Sequence, residues 1–219
     1  VELGRPNSEP QERFFESRVK YISFGGARGG GKSWCTQRKS VGGCLRYPGL
    51  RVLILRRRYE DLENSVIEPI LKLTDRKTAV FSASKRLLEF CNGSYIRFGN
   101  MESYDSAVSG KYQGQEYDVI GVEECTHFTW SQIQFLMTCN RTTRTDFKPR
   151  MYFTGNPGGV GHNWFKRLFV KGRYENGEDP DDYIFIPATI DDNTVLMKTN
   201  PEYVKVLDSL PEKKASCII

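Results

Sequence analysis

Histidine is scarce in this sequence, which has two among its 219 residues, and its six cysteines include no C-x-x-C pair. A structural zinc site needs four Cys or His ligands at short spacings, so we do not expect bound zinc. No segment approaches the ~18 consecutive apolar residues of a membrane-spanning helix, and no charged-then-apolar leader opens the chain. Internal repeats and low-complexity tracts are also missing. We therefore expect a single domain with reduced thiols that acts in the cytoplasm without a membrane partner.

The residues that are present make an ordinary globular composition, 38% hydrophobic and 27% charged. A chain of this length can bury a core large enough for one domain. The formal net charge of +5 permits contact with nucleic acid but does not require it. The densest basic run is Arg56, Arg57 and Arg58. It either contacts DNA or lies in a solvated loop, and the sequence leaves both readings open.

Short β-prone runs alternate with helical stretches, which favours an α/β fold with a largely parallel sheet and helices on both faces. Asn92-Gly93 between two further β-prone runs is typical of a hairpin turn, so residues 79–98 predict an added antiparallel β-hairpin. Residues 171–182, rich in Gly, Asp, Glu and Pro, predict a mobile surface loop. The predicted strands are residues 21–24, 51–55, 119–122, 151–154 and 183–187, and the predicted helices are residues 8–18, 32–45, 62–73 and 130–139.

The segment 26–33 reads GARGGGKS and fits the P-loop pattern G-x-x-x-x-G-K-[ST], with a predicted strand before it and a helix after it. Glycines let consecutive backbone N–H groups turn toward a phosphate, and the helix N-terminus adds partial positive charge. Lys32 is expected to reach the β- and γ-phosphates of ATP, and Ser33 to supply a hydroxyl to Mg²⁺. A glycine-rich linker before an ordinary helix is the alternative. The predicted nucleotide-binding residues of the loop are Gly26, Ala27, Arg28, Gly29, Gly30, Gly31, Lys32 and Ser33.

Two adjacent carboxylates, Glu123 and Glu124, follow the apolar strand at 119–122. The carboxyl ends of parallel strands form the sheet edge where ligands bind. In hydrolytic P-loop proteins the first acid holds Mg²⁺ and the second deprotonates the attacking water, so we expect Glu123 to hold the metal and Glu124 to be the general base. Glu123 stands where Asp is usual, and two solvated loop acids are the alternative reading. The loop and the acids together indicate a P-loop NTPase of the RecA-like (ASCE) class.

Several segments in a fixed order resemble the large terminase subunit of tailed bacteriophages. They span nearly the whole chain and read GGARGGGKS, LILRRRYEDLENSVIEPIL, FCNGSYIRFGN, GKYQGQEYDVIGVEE, TGNPGGVGHNWFK, IPATIDDN and NPEYVKVLDSLP. The resemblance implies an ATPase motor, with ATP and Mg²⁺ as cofactors, that pumps double-stranded DNA into an empty procapsid. It also implies a homo-oligomeric ring in the host cytoplasm, transiently at the portal vertex, with the portal protein and the small terminase subunit as partners.

The resemblance also assigns roles to individual residues. Gln11, upstream of the P-loop, resembles the residue that reads adenine, and Arg28 lies where the family places an arginine near the γ-phosphate. Asn156, in a Thr-Gly-Asn motif, resembles the coupling residue that senses the γ-phosphate. Arg141, or failing that Arg144, lies where an arginine finger would reach a neighbouring subunit's site. Simpler readings stay open: an exposed helix residue for Gln11, a turn for Asn156 and surface charges for the arginines.

The chain departs from the family pattern in its length. Large terminases continue into a ribonuclease-H-like nuclease domain with clustered acids. The loop acids at 181–182 and 191–192 lack the intervening strands that a two-metal nuclease site requires. We therefore expect residues 1–219 to form a single ATPase domain without nuclease activity, with about 190–219 as a lid or a linker toward a nuclease domain.

Two other functions are compatible with a P-loop. A RecA-like helicase or other nucleic-acid-dependent ATPase uses the same acids but needs a second such domain or a hexamer. Stimulation by blunt, unwindable duplexes would separate a packaging motor from it. A non-enzymatic nucleotide switch is the third reading. The missing Asn-Lys-x-Asp guanine signature and the presence of a second acid favour ATP hydrolysis instead.

Overall fold

A computed structural model describes residues 1–26, 29–103, 111–156, 158–200 and 202, and eight strands of these residues form one sheet. The strands are β1 (Tyr21–Gly26), β2 (Arg51–Arg56), β3 (Ala79–Ser82), β4 (Leu87–Phe90), β5 (Tyr95–Asn100), β6 (Val119–Val122), β7 (Arg150–Gly155) and β8 (Tyr183–Ala188). Their order across the sheet is β3-β4-β5-β2-β6-β7-β1-β8. All pairs from β5 to β8 in this order are parallel, and β4 is antiparallel to both of its neighbours.

Helices connect the strands and cover the sheet. They are α1 (Glu9–Glu16), α2 (Lys32–Arg46), α3 (Tyr59–Leu62), α4 (Glu68–Leu73), α5 (Trp130–Cys139), α6 (His162–Phe165) and α7 (Thr194–Thr199). A π-helical turn at Glu63–Ile67 joins α3 to α4, and a second at Lys166–Val170 extends α6. Short 3₁₀ turns lie at Cys125–His127 and Pro180–Asp182. Within the described residues, no helix is long and apolar enough to cross a membrane.

The central strand β2 shows why helices cover both faces of the sheet. Val52 and Ile54 face a core that also contains residues of α1, α2, α3 and α4. Leu53 and Leu55 face a second core, which contains residues of α5 and α6. Side chains alternate along a strand, so a strand that is buried on both faces has a continuous apolar sequence, as the run Val-Leu-Ile-Leu has.

The predicted α/β architecture is confirmed, and each predicted strand and helix is present with ends that differ by at most three residues. The Asn92-Gly93 turn joins β4 to β5 as an antiparallel hairpin, as predicted. The structure also divides the first β-prone run into β3 and β4, which are antiparallel to each other. Arg86, in the turn between them, has the left-handed backbone conformation (φ 51°) that reverses the chain. The antiparallel part of the sheet therefore has three strands rather than two.

The segment 171–182 forms a surface loop that ends in a short 3₁₀ turn. Arg167 holds this loop through two hydrogen bonds to the Glu178 carboxylate, at 2.7 and 2.8 Å. This parallel pairing of a guanidinium with a carboxylate is among the stronger surface interactions. The π-helical extension of α6, which carries Arg167, had no counterpart among the predicted elements.

The two-sided core predicts different costs for truncating two valines. Val52 is fully buried in the central strand β2, whereas Val80 is 63% exposed on the edge strand β3. Val52→Ala removes buried methyl groups and leaves a cavity, so we expect it to lower the free energy of unfolding by about 2 kcal/mol. Val80→Ala is expected to change it by less than about 0.5 kcal/mol. Urea unfolding of both variants measures the difference, and equal costs would contradict the edge position of β3.

Candidate functional site

Three neighbouring parallel strands deliver the predicted site residues to one edge of the sheet. β1 ends at the glycine-rich loop, β6 ends immediately before Glu123 and Glu124, and β7 ends immediately before Asn156. β7 lies between β6 and β1, with Gly155 opposite Gly25. The residue that follows β7 therefore stands between the loop and the acids.

The glycine-rich loop makes close approaches at two of its described positions. Gly26 has φ +143°, and a Cβ atom there would lie 2.6 Å from the carbonyl oxygen of Ala188. Gly31, the N-cap of α2, has φ +75°, and a Cβ atom there would lie 2.8 Å from Nε2 of Gln11. Both positions have a backbone conformation that L side chains rarely adopt, and at Gly26 a backbone atom also blocks a Cβ, so both favour glycine.

Gln11 lies against the loop rather than in solvent. Its side chain belongs to α1 and the residue is 3% exposed. Its Oε1 accepts the backbone N–H of Asn7 at 3.0 Å, and its Nε2 lies beside Gly31. The reading of Gln11 as an exposed helix residue is therefore wrong. Its predicted contact with adenine stays a prediction.

The side chain of Asn156 bridges the P-loop lysine and the second acid. Lys32 Nζ donates to Asn156 Oδ1 at 2.8 Å. Asn156 Nδ2 donates to both carboxylate oxygens of Glu124, at 3.2 and 3.3 Å. The backbone of Asn156 is fixed by Thr126, whose Oγ1 donates to its carbonyl oxygen at 2.9 Å. A primary amide carries a donor and an acceptor, so it connects a cation to an anion without being charged itself.

Glu123 lies under the loop and pairs with the hydroxyl of Ser33. The residue is 3% exposed, and Ser33 Oγ donates to its Oε2 at 2.9 Å. Its other oxygen, Oε1, is buried and has no hydrogen-bond partner in the described part of the chain. Burial raises the pKa of the Glu123 carboxyl, and the hydroxyls of Ser33 and Thr154 oppose that rise. A hydroxyl beside a carboxylate with one free oxygen is the hard donor set that Mg²⁺ prefers, so the predicted metal residues fit that ion.

Glu124 has a strained backbone. Its φ and ψ are both 51°, the left-handed conformation that non-glycine residues seldom adopt. Its side chain is 21% exposed, and its Oε1 lies 3.9 Å from Nη2 of Arg56. Arg56 is held in turn by a hydrogen bond from its Nη1 to Ser65 Oγ at 2.7 Å. Strain of this kind costs ~1–3 kcal/mol and is concentrated at functional sites, which supports a role for Glu124 in chemistry.

In the sequence, Arg56 is one of three consecutive arginines that either contact DNA or lie in a solvated loop. The structure places it at the carboxyl end of β2, beside the second acid. Its position after an apolar strand was the only signal in the sequence, because the run Arg56–Arg58 does not distinguish one arginine from the next. Arg57 and Arg58 are exposed.

The loop, Glu124 and Asn156 line an open cavity of ≈ 490 Å³. This volume lies within the ~300–1,000 Å³ that ligand pockets occupy. The predicted residues that line it are Gly29, Gly30, Gly31, Lys32, Ser33, Glu124 and Asn156. Three further described residues line the cavity although the sequence did not predict a role for them: Trp34, Asn193 and Leu196.

Asn193 ties the segment after β8 to the loop. Its Nδ2 donates to the carbonyl oxygen of Gly29 at 2.6 Å, and its Oδ1 caps α7 by accepting the N–H of Leu196 at 3.2 Å. The segment IPATIDDN carried the family resemblance, but no role followed for this asparagine. Ala27 and Arg28, also in the loop, lie outside the described residues, so their contacts with phosphate stay predictions.

Arg141 and Arg144 lie at the opposite edge of the sheet, where β2, β6 and β7 begin. Arg141 Nε contacts Glu116 Oε1 at 3.0 Å, and its side chain is 57% exposed. Arg144 Nη2 contacts Asp146 Oδ2 at 2.7 Å, and its Nη1 donates to the carbonyl oxygen of Pro48. Neither residue reaches the cavity of its own chain. A role for either one in the site of a neighbouring subunit stays a prediction.

The sequence and the fold of this chain resemble those of known proteins. A family model described as phage terminase large subunit matches residues 18–215. The large terminase of a thermophilic bacteriophage has a TM-score of 0.74 at 15% sequence identity, covering 97% of this chain and 53% of that chain. The same terminase in complex with ATP-gamma-S has a TM-score of 0.71 at 16% identity, covering 96% and 52%. The large terminase ATPase domain of Thermus phage P74-26 has a TM-score of 0.64 at 16% identity, covering 96% and 91%.

At these identities the likeness shows the fold, which is the P-loop NTPase fold of terminase ATPase domains. The chain spans about half the length of the terminase from the thermophilic bacteriophage. None of the curated protein sequences that were compared with the chain matches it.

The burial of each cysteine predicts which thiols can be modified. Cys125, next to the acids, is fully buried, whereas Cys91 is exposed. Burial also raises the pKa of the Cys35 thiol to about 12, which suppresses the reactive thiolate at neutral pH. We expect a thiol reagent to modify Cys91 alone among the five described cysteines of a folded Cys217→Ser chain, and all five after denaturation. Mass spectrometry counts the modified thiols, and rapid labelling of Cys125 in the folded chain would contradict its burial.

Proposed function

This chain belongs to the phage terminase large subunit family, and we propose that it is the motor domain, which hydrolyses ATP to move double-stranded DNA into a procapsid. We also propose that residues 1–219 form one ATPase domain and that about 190–219 serve as a lid or a linker toward a nuclease domain; of this segment, residues 201 and 203–219 lie outside the described residues. The 91% coverage of the P74-26 ATPase domain supports this division. The observation that carries the proposal is the bridge from Lys32 through Asn156 to Glu124.

The P-loop binds the phosphates of ATP in this proposal. Residues 29–33, which end the loop and begin α2, line the cavity, where backbone N–H groups and the helix N-terminus would stabilise negative charge. Lys32 Nζ, which donates to Asn156 at 2.8 Å, turns to the γ-phosphate when ATP enters. Gln11, packed against Gly31, recognises adenine, and Arg28 contacts the γ-phosphate.

Ser33 and Glu123 hold Mg²⁺ in the proposed site. When bound, the ion neutralises charge on the β- and γ-phosphates. The free oxygen of Glu123 and the Ser33 hydroxyl supply the ligands from the chain, directly or through water. The extra methylene of Glu123 relative to aspartate is absorbed where its contact with the metal ion runs through water.

Glu124 is the general base. It takes a proton from a water molecule, the water oxygen bonds to the γ-phosphorus, and the bond from that phosphorus to the β-phosphate oxygen breaks to leave ADP and phosphate. The Nδ2 group of Asn156 donates to both oxygens of Glu124, and Oδ1 of Asn156 accepts a hydrogen bond from Lys32. When ATP binds Lys32, one end of this bridge is released, so Asn156 reports the γ-phosphate to the base and to β7, which ends one residue before it.

The partners of the motor follow from the family. We propose that it works as a homo-oligomeric ring on double-stranded DNA, with the portal protein and the small terminase subunit, in the host cytoplasm and transiently at the portal vertex. A net charge of +5 is compatible with a polyanionic substrate.

Replacing the base tests the proposed chemistry. Glu124→Gln keeps the size of the side chain but cannot accept a proton, so we expect turnover to fall by ~10²–10⁴-fold while ATP affinity changes little. Phosphate release and equilibrium nucleotide binding measure the two quantities. Glu89→Gln, an exposed carboxylate on β4, is the matched control and should behave as wild type. A Glu124→Gln chain with half of the wild-type rate would refute this assignment of the base.

Mixing variants tests a shared site between subunits. A chain with Arg141→Ala and Arg144→Ala lacks the proposed trans-acting arginine, and a Glu124→Gln chain lacks the base, so each supplies what the other has lost. We expect each chain alone to be nearly inactive and the mixture to recover activity, because a trans arginine contributes ~10³-fold or more. We also expect the wild-type rate per subunit to rise with protein concentration.

The control for this experiment is Arg76→Ala, which removes an exposed arginine from the loop after α4. It should keep the wild-type rate. A rate that is independent of concentration, together with no recovery on mixing, would show that each domain works alone and that both arginines serve their surface salt bridges only.

A further inference from the structure

A second cavity lies at the end of the sheet opposite the P-loop, between α1, α2 and the first residues of β6 and β7. Its volume is ≈ 220 Å³. Its apolar surface includes Leu50, Val119 and Phe147. No carboxylate is among the described residues that line the cavity. Five described cationic residues line it: Arg18, Arg38, Lys39, Arg46 and Arg150. We call it the α1–α2 cavity.

The cations of the α1–α2 cavity have neutral partners. Lys39, 9% exposed, donates to the carbonyl oxygens of Phe14, Phe15 and Ser17 at the end of α1. Arg150, 8% exposed, donates to the carbonyl oxygen of Arg18 at 3.3 Å. None of the salt bridges within the described ranges involves a cation of this cavity. Lys39 also lies over the rings of Phe14 and Tyr152, and Arg150 lies over the ring of Phe147, contacts that stabilise a cation without neutralising it. Buried cations are ordinarily paired with anions, so this cluster keeps a net positive charge.

A buried hydroxyl in the α1–α2 cavity also lacks a partner. Ser40 lines the cavity, is 1% exposed, and its Oγ has no hydrogen-bond partner in the residues that the structure describes. Buried polar atoms almost always have one, because an unsatisfied donor costs free energy. A ligand with acceptor oxygens would satisfy Ser40 and balance Lys39 and Arg150 together.

The electrostatics of Lys39 agree with this geometry. Burial, together with the nearby charges of Arg150 and Arg18, lowers its pKa to about 7. The Cys35 thiol opposes this fall only in part. An anion in the cavity would favour the charged ammonium.

We propose that the α1–α2 cavity binds a nucleoside phosphate group, with the phosphate on Ser40 and Arg150, the sugar or base against Phe147, and the nearby charge of Lys39 balancing the phosphate. The phosphate supplies acceptor oxygens for the hydroxyl and charge for the cations. The ring of Phe147 packs edge-on against Tyr47, with centroids 5.0 Å apart, and the Arg150 guanidinium lies over it at 4.5 Å, so a sugar or base would meet the part of the ring that these two residues leave uncovered. At ≈ 220 Å³ the cavity is smaller than the ~300–1,000 Å³ of pockets that enclose a whole ligand, so part of the nucleotide projects outward.

The source of the phosphate is either a free mononucleotide or the 5′ end of a DNA strand. The two sources share the same chemistry, and neither depends on the proposed ATPase activity. The test therefore uses a Lys32→Ala chain, which weakens nucleotide binding at the P-loop, without Mg²⁺. The probes are inorganic phosphate, thymidine 5′-monophosphate, and one oligonucleotide with either a 5′-phosphate or a 5′-hydroxyl.

Ser40→Ala is the sharpest variant, because the hydroxyl has no partner to lose within the described chain. Titration calorimetry should show about tenfold weaker binding of the nucleotide probe, as for a lost hydrogen bond to a charged group, with an unchanged melting temperature. Arg46→Gln, at the exposed rim, should also weaken binding, and Arg76→Gln, remote from the cavity, should not.

The probes separate the outcomes. Tighter binding of the 5′-phosphorylated oligonucleotide than of thymidine monophosphate supports a strand end, and equal binding supports a free nucleotide. Inorganic phosphate that binds as tightly as thymidine monophosphate would overturn the assignment to nucleoside phosphates. Binding of every probe that is insensitive to both Ser40→Ala and Arg46→Gln, or no binding at all, would overturn the site itself.

Discussion

The parallel pairing of β1, β7 and β6 is the constraint on which the site depends. Parallel strands place their carboxyl ends at one edge, so the P-loop, the coupling asparagine and the two acids meet there although 90 or more residues separate the loop from the acids and from Asn156 in the chain. The register leaves little freedom: a Cβ atom at Gly25 would lie 2.9 Å from the carbonyl oxygen of Gly155. Apolar side chains on both faces of the sheet hold these strands in place, so the packing of the core also determines the geometry of the site.

Within the described residues, each charged side chain of the site has a hydrogen-bond partner, although one oxygen of Glu123 has none. Lys32 and Glu124 are joined through the neutral amide of Asn156, and the buried Glu123 is joined to Ser33. Arg56 lies close enough to Glu124 to lower the cost of its charge. The strained backbone of Glu124 is tolerated because these contacts determine its position from several sides. A bound phosphate and a bound metal ion would therefore replace contacts that these side chains already make with one another.

The opposite edge of the sheet is organised by different pairs. Asp118, fully buried, accepts hydrogen bonds from the backbone and guanidinium of Arg51. The Asn140 amide donates to the carbonyl oxygen of Asp118, immediately before β6, and to that of Arg150 at the start of β7. These bonds close the start of the sheet with paired charges. The α1–α2 cavity lies beside them with cations that have no carboxylate, and this contrast marks it as the exception at that edge.

The sequence by itself determined the features whose physics is local. The glycine-rich loop needs glycine at φ values that other residues avoid, and the apolar run of β2 and the Asn92-Gly93 turn are equally short-range signals, so the motif, the strands and the hairpin could all be predicted. Tertiary structure alone decided the contacts between distant segments. It placed Asn193 on the carbonyl of Gly29, 164 residues away, and it chose Arg56 from a run of three arginines as the neighbour of the second acid. It also placed Arg141 at the far edge, because a residue's position on the sheet depends on which strand end it adjoins, and strand order is not encoded in any one segment.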